Sequence, residues 1–314
     1  MKLFKQLIKP ALGLLIIFIL VNKGGLEFHL LFTALKQYPQ YLIFGFIFYI
    51  ALIFIAGCRW FLLIRCVGIK VTFSTIFSLH MIGVFFVTLI PGGTGGDVVK
   101  GYYIYRDTLD KKGMALSSVV MDRVVGLYAL MTWGILGILM NYKIAFTHPL
   151  LSWNSWFYLT IFIIATIMVG TFFSPLAPTI MNHNRIGALP GNRIIRGLFE
   201  AFQVYRKFPE TLLKAYLMTL VLHGCLLMVF YFSALSLQVN FSIMQHSFVV
   251  PLLTMVNGIP LSPAGIGVGE AAAETLYRLL GNDMGGEISM IFHIFVVISA
   301  FLGTPFYLFY KKKK

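Results

Sequence analysis

Charge is scarce in this sequence, and acidic charge is scarcer still: Asp, Glu, Lys and Arg make up 11% of the residues, and the acids number 11. With 59% of its residues apolar, such a chain is excluded from the disordered class and is a poor fit to an ordinary soluble enzyme. Cysteine is nearly missing. Cys58, Cys66 and Cys225 lie in or beside apolar runs without CxxC or metal spacing, so no disulfide framework or zinc site is supported and all three read as packing residues. No HExxH, GxSxG or Walker spacing occurs, which argues against a resident metal, a catalytic nucleophile, a nucleotide and any other cofactor. A window of sustained polarity large enough for a second, soluble domain is also lacking. Any catalysis would have to take place in or at the face of a membrane.

What the sequence does have is long apolar windows, near residues 7–25, 41–64, 73–90, 114–140, 156–174, 213–236, 246–261 and 288–310. Several approach the roughly 20 residues a helix needs to cross a bilayer, which predicts an all-α polytopic membrane protein with residues 1–314 forming one integral domain. The net charge of +14 then marks cytoplasmic loops against anionic lipid, and no base-reading module points to nucleic acid. Lys2, Lys5 and Lys9 precede an apolar run like that of a secretory signal. The chain continues Asn22-Lys23-Gly24-Gly25 without a small-x-small site, so the expectation is an uncleaved first span. Lys311 to Lys314 read as a cytoplasmic anchor.

Eight simple crossings would put Lys100, Arg106, Lys111 and Lys112 outside, together with the basic 175–212 connection, against the positive-inside rule. Two re-entrant helical hairpins remove the conflict. Residues 73–106 would enter from the cytoplasm and turn at Pro91-Gly92-Gly93-Thr94-Gly95-Gly96; residues 246–280 would enter from outside and turn around Pro260 to Gly267. Six crossings remain, with both termini inside. About 20 of the 25 basic residues then fall at cytoplasmic positions, leaving Lys23, Lys36, Lys143 and Arg278 outside and Arg123 in the membrane. Ile90-Pro91, glycines, Asp97 and Arg106 are echoed by Ile259-Pro260, glycines, Glu270 and Arg278, as in an inverted repeat, which tends to place a substrate site where its broken elements meet. The alternative is two unrelated Pro/Gly-broken helices. Within the connection, residues 193–207 carry Ile195, Leu198, Phe199, Phe202 and Tyr205 at helical spacing beside arginines, predicting a cytoplasmic amphipathic interfacial helix.

The candidate site residues are those that the membrane should reject. Asp122 and Arg123 lie about two turns into an apolar span, where an ionised group costs roughly 2.5–3.5 kcal/mol on insertion scales. Neighbours on a helix point about 100° apart, so each needs a partner of its own, and Ser118 shares the face of Asp122. Gly95 and Gly96 lead through Asp97, a candidate N-cap, into a short helix carrying Lys100, a start that suits phosphate. Gly265 and Gly267 precede Glu270 and Glu274, one turn apart; a cation, proton or headgroup-amine contact is the expected use of Glu270, and a solvated outer position is the alternative for Glu274. His80, His223 and His293 read as packing histidines, and Tyr102, Tyr103 and Tyr105 as an interfacial belt.

Arg59-Trp60, Leu89-Ile90-Pro91-Gly92-Gly93 to Gly96-Asp97 with Lys100 and Tyr102, Ser117 to Leu127 around Asp122-Arg123, and Pro263-Ala264-Gly265-Ile266-Gly267 to Glu270 together resemble the transmembrane region of lysylphosphatidylglycerol synthases, also called the flippase-like or UPF0104 family. In multiple peptide resistance factors of that family this region is associated with moving aminoacylated phosphatidylglycerol between leaflets, and a cytosolic domain makes the lipid. Here the chain stops after the last span, so the resemblance implies the flippase-like part without the synthase part. Lys100 stands where an Arg often follows the GGD motif, keeping the charge but not a bidentate grip. The resemblance implies transfer of a phospholipid or lipid-linked headgroup across the cytoplasmic (inner) membrane. The expected partners are anionic or aminoacylated membrane phospholipids and a possible lipid-synthesising enzyme. Gly95, Gly96, Asp97, Lys100, Ser118, Asp122, Arg123, Gly265, Gly267 and Glu270 would contact the headgroup. The rival readings are a lipid-modifying enzyme or the membrane subunit of a split phosphatidylglycerol lysyltransferase, and an ion or solute transporter.

Overall fold

The computed structural model describes residues 28–90, 95–108, 111–174 and 201–310. The first apolar window near 7–25, the turn residues Pro91 to Thr94 and most of the segment 193–207 lie outside the described residues. In chain order the helices are α1 (Phe28–Gln37), α2 (Pro39–Cys66), α3 (Phe73–Val87), α4 (Gly95–Asp107), α5 (Lys112–Met140), α6 (Tyr142–Ala145), α7 (Pro149–Phe173), α8 (Pro209–Ser236), α9 (Ile243–Asn257), α10 (Val268–Arg278) and α11 (Gly285–Phe309). The chain is an all-α polytopic membrane protein. Helices α2, α5, α7, α8 and α11 are long and apolar enough to cross a bilayer. At 15 residues each, α3 and α9 reach about 22 Å, short of the roughly 30 Å hydrocarbon core.

Local chemistry explains the starts of these helices. Prolines at the first turn open α2, α7 and α8, where a missing N–H costs nothing. Thr72 caps α3 by accepting from the Thr75 amide, and Ser242 caps α9 in a capping box with Gln245. Apolar side chains on α7 and α11, among them Ile163, Ile167, Phe301 and Phe309, face outward, as lipid-facing surfaces do.

The architecture repeats. Helices α2, α3, α4 and α5 follow a long, short, short, long order with 28, 15, 13 and 29 residues; α8, α9, α10 and α11 follow it with 28, 15, 11 and 25. Each 28-residue helix starts with proline, and a left-handed residue, Gly68 or Gln238, stands second after its end. A hydroxyl cap then starts the short helix. Packing follows the same correspondence: α3 lies on α11, and its counterpart α9 lies on α5. The equivalent helices α2 and α8 pack along each other in opposite directions. Phe44 meets Phe232 near one end, with ring centroids 5.5 Å apart, while Arg59 bonds Thr219 toward the other.

Helices α5 and α7 are likewise antiparallel, since Tyr158 donates to the Leu130 carbonyl and Tyr128 meets Thr166. Helix α5 also runs against α2, because Arg59 and Trp60 meet Asp122 and Ser118 in reverse order. One half thus returns the chain to the side on which its first long helix, α2, began. Of the segment 193–207, residues 201–207 are described: Ala201, Phe202 and Tyr205 are buried, and Tyr205 donates to the Leu63 carbonyl at 2.8 Å.

Candidate functional site

Five charged side chains converge beside the paired short helices of the first half. Arg59 of α2 donates from Nε to Asp122 Oδ1 at 2.7 Å and from Nη1 to Thr219 Oγ1 at 3.0 Å. Lys100 of α4 lies 2.8 Å from Asp97 Oδ1 and 3.7 Å from Asp122 Oδ2, and Arg123 pairs with Asp97 through its Nε. Arg59, Lys100 and Asp122 are buried, whereas Arg123 keeps 42% of its side chain exposed and is the most accessible of the five. Asp122 and Arg123, adjacent in sequence, turn to different partners as helical geometry requires.

Pairing makes this burial tolerable. An ionised group inside a protein keeps its charge only if opposite charges and hydrogen bonds replace the lost water. Trp60 supports the arrangement from below: its Nε1 donates to Ser118 Oγ at 3.2 Å, and the Lys100 ammonium sits 5.0 Å from its ring centroid. The sequence pattern leaves no room for larger residues here. A Cβ on Gly96 would run into the Gly83 carbonyl, and one on Gly83 would come within 2.9 Å of the Lys100 stem, so the two glycines let α3 and α4 close on each other.

These residues border a cavity of about 580 Å³. Gly83, Gly96, Asp97 and Lys100 line it from the first pair of short helices, Thr254 and Met255 from the last turn of α9, and Gly258, Ile259 and Pro260 from the turn after it. Leu127, Leu130 and Leu222 supply apolar walls. The described charged lining comprises three cations, Arg59, Lys100 and Arg123, against two carboxylates, Asp97 and Asp122. Close by, between α5, α7 and α8, runs an apolar groove of about 270 Å³ that includes Met121, Val125, Phe173 and Leu213.

Among the residues singled out in the sequence, Gly96, Asp97, Lys100, Asp122 and Arg123 line the cavity. Gly95 is buried at the start of α4 against Ile90, and Ser118 is buried behind Lys100 through its bond with Trp60. Asp97 is not the N-cap expected of it: α4 starts at Gly95, and Asp97 is the third residue, where its carboxylate faces Lys100 and Arg123 while still favouring the positive helix end. Gly265, Gly267 and Glu270 form a separate cluster. Glu270 Oε2 accepts from the Gly267 amide at 2.6 Å and Oε1 meets His293 Nδ1 at 2.6 Å. Glu274 pairs with Arg278 and accepts from the Gly286 amide.

Sequence reasoning did not name Thr219, and it placed none of Arg59, His80 and His223 at the site: Arg59 entered only through the family resemblance, and the two histidines read as packing residues. The charge count places Arg59 on the cytoplasmic side, yet it is buried in α2 against Asp122. A basic residue inside an apolar run was the available signal. The two histidines line the cavity, His223 with Nε2 at 3.2 Å from the Gly126 carbonyl. Beyond the spans, Tyr310 donates to Asp107 Oδ2 at 2.7 Å; burial and that bond raise its phenol above the ordinary range, keeping it a donor.

The family model described as "Lysylphosphatidylglycerol synthase TM region" matches residues 6–311. A UPF0104 membrane protein of Methanocaldococcus jannaschii is 29% identical over 171 residues, 53% of this chain and 50% of that protein. The chain thus spans about half the length of that relative. A second UPF0104 membrane protein of the same organism is 23% identical over 209 residues, covering 66% of this chain and 85% of the relative. No solved structure matches.

Proposed function

The chain belongs to the family of the lysylphosphatidylglycerol synthase TM region, and from that footing we propose that it binds a phospholipid or lipid-linked headgroup in the charged cavity and assists its transfer across the cytoplasmic membrane. The observation that carries this reading is the cavity's lining: three cations and two carboxylates, held on the crossing helices α2 and α5 and on the short helix α4, with one positive charge in excess among the described residues. A phosphodiester carries one negative charge and complements that excess. Arg123 and Lys100, with the start of α4, hold the phosphate; Asp97 and Asp122 take hydroxyls or an amine. Fixed protein groups thereby replace the headgroup's water, which is the main barrier to crossing hydrocarbon. The apolar groove beside α5 accommodates acyl chain.

The topology in this reading has both termini cytoplasmic, α3 and α4 dipping in from the inside and α9 and α10 from the outside. The first short-helix pair and, from the second, α9 with the turn that follows it then border the cavity from opposite leaflets, as inverted repeats do around a central site. The test is leaflet exchange of fluorescent phosphatidylglycerol in liposomes, read by outer-leaflet quenching. Wild type is expected to exchange lipid faster than protein-free vesicles and faster than folded Asp122→Asn and Arg123→Ala. Equal rates in all four would overturn the reading. A lipid species made only in the protein's presence would favour the enzyme alternative.

A further inference from the structure

Among the described residues the cavity leaves unused a buried acid–imidazole pair: Glu270 of α10 and His293 of α11, 1% and 3% exposed. Both oxygens of Glu270 are engaged, Oε2 by the Gly267 amide and Oε1 by His293 Nδ1. With Nδ1–H donating to a carboxylate, a neutral imidazole presents a lone pair at Nε2, and that atom is buried with no hydrogen-bond partner. Asn257 Oδ1, another acceptor, is buried without a partner as well. The side chains border the same point: a Cβ on Gly269 would meet both Asn257 Oδ1 and His293 Cε1. Two orphaned acceptors beside a carboxylate lack one thing, a proton to donate.

We propose that Glu270, His293 and Asn257 form a proton-binding site that governs the turn after α9. One proton adds to the lone pair of His293 Nε2, converting a neutral imidazole beside a carboxylate into an imidazolium–carboxylate pair, and the new N–H offers Asn257 the donor it lacks. Asn257 is the last residue of α9, and Gly258, Ile259 and Pro260, which follow it, line the cavity. Protonation therefore acts at the hinge of a cavity wall. The repeat makes the contrast plain. Glu270 is the third residue of α10 as Asp97 is of α4, but Asp97 meets the permanent cations Lys100 and Arg123 where Glu270 meets a histidine.

The other ionisable groups on the packed elements have their own partners. Glu274 pairs with Arg278, Arg278 also with Asp283, and His246 of α9 bonds Tyr277 through Nδ1. Glu287 lies nearly two turns before His293 on α11, and Tyr49 of α2 packs by its ring on Phe292 and Phe295.

The test does not depend on lipid transfer. Leu261, exposed just beyond the turn, is changed to Cys after the native cysteines are replaced by Ser, and its alkylation rate is followed against pH in lipid nanodiscs, corrected for the reagent's own thiol titration. The corrected rate should change by roughly threefold or more across one titration, and His293→Gln and Glu270→Gln should flatten it; the side-chain carbonyl that Glu270→Gln retains still accepts from the Gly267 amide. A flat wild-type profile, or the same titration in either folded variant, would overturn the proposal. Loss of leaflet exchange with this titration intact would instead sink only the transport reading.

Discussion

Arg59 and Asp122, 63 residues apart in the sequence, meet at 2.7 Å between two membrane-crossing helices, and neither has bulk water to fall back on. Removing one partner leaves the other charged in a buried site. Asp122→Ala is expected to destabilise the protein by about 3–5 kcal/mol, because Arg59 loses its carboxylate and Lys100 one of two. The double variant Arg59→Met/Asp122→Leu should recover much of that loss while abolishing transfer. Denaturant unfolding in detergent measures both; equal stability of wild type and the single variant would contradict the ion-pair account.

Glycine positions separate close packing from mere flexibility. Gly96→Ala should cost about 1–3 kcal/mol, since its methyl meets the backbone of Gly83, which cannot rotate away. Gly170→Ala has open space around it and should be neutral or slightly stabilising in α7. Thermal unfolding of the pair checks this contrast.

Trp60→Phe keeps an aromatic ring but deletes the indole N–H that Ser118 accepts. A loss of about 1 kcal/mol is expected, with Lys100 less firmly held and transfer slowed rather than abolished. The readout is unfolding combined with leaflet exchange; unchanged values in both would remove Trp60 from the support of the site.

Much of this molecule is legible in its sequence. The five described crossing helices coincide with long apolar windows because hydropathy over some 20 residues is a strong signal. The Pro/Gly breaks near residues 91 and 260 stand between the short helices for the same reason that they punctuate any helix. Asp122, Arg123, Asp97 and Lys100 were conspicuous as charges in apolar surroundings. Arg59, also inside an apolar window, stood out only as part of the Arg59-Trp60 resemblance, because a basic residue near the end of a window ordinarily reads as cytoplasmic. Thr219 carries no sequence signal of its own, and His80 and His223, visible inside apolar spans, read there as packing histidines; a hydroxyl or imidazole in a span becomes informative only when packing brings it to a cavity. Glu270 shows the opposite difficulty. Similar sequence made the two short-helix pairs look equivalent, but the longer glutamate side chain reaches back to cap its own helix at Gly267.

The proposed topology has a labelling test of its own. Lys111→Cys, before α5, should react only with reagent on the cytoplasmic side, and Asp283→Cys, before α11, only with reagent outside. The reverse pattern at either position would contradict two re-entrant pairs meeting from opposite leaflets.

The most direct measurement is a density map of the protein in nanodiscs of anionic lipid. The account predicts a phosphate inside the cavity, within hydrogen-bonding reach of Arg123 and Lys100, with its chains leaving toward the apolar groove. Lipid phosphates confined to the outer belt, with the five charged side chains closed on one another and no headgroup between them, would contradict it.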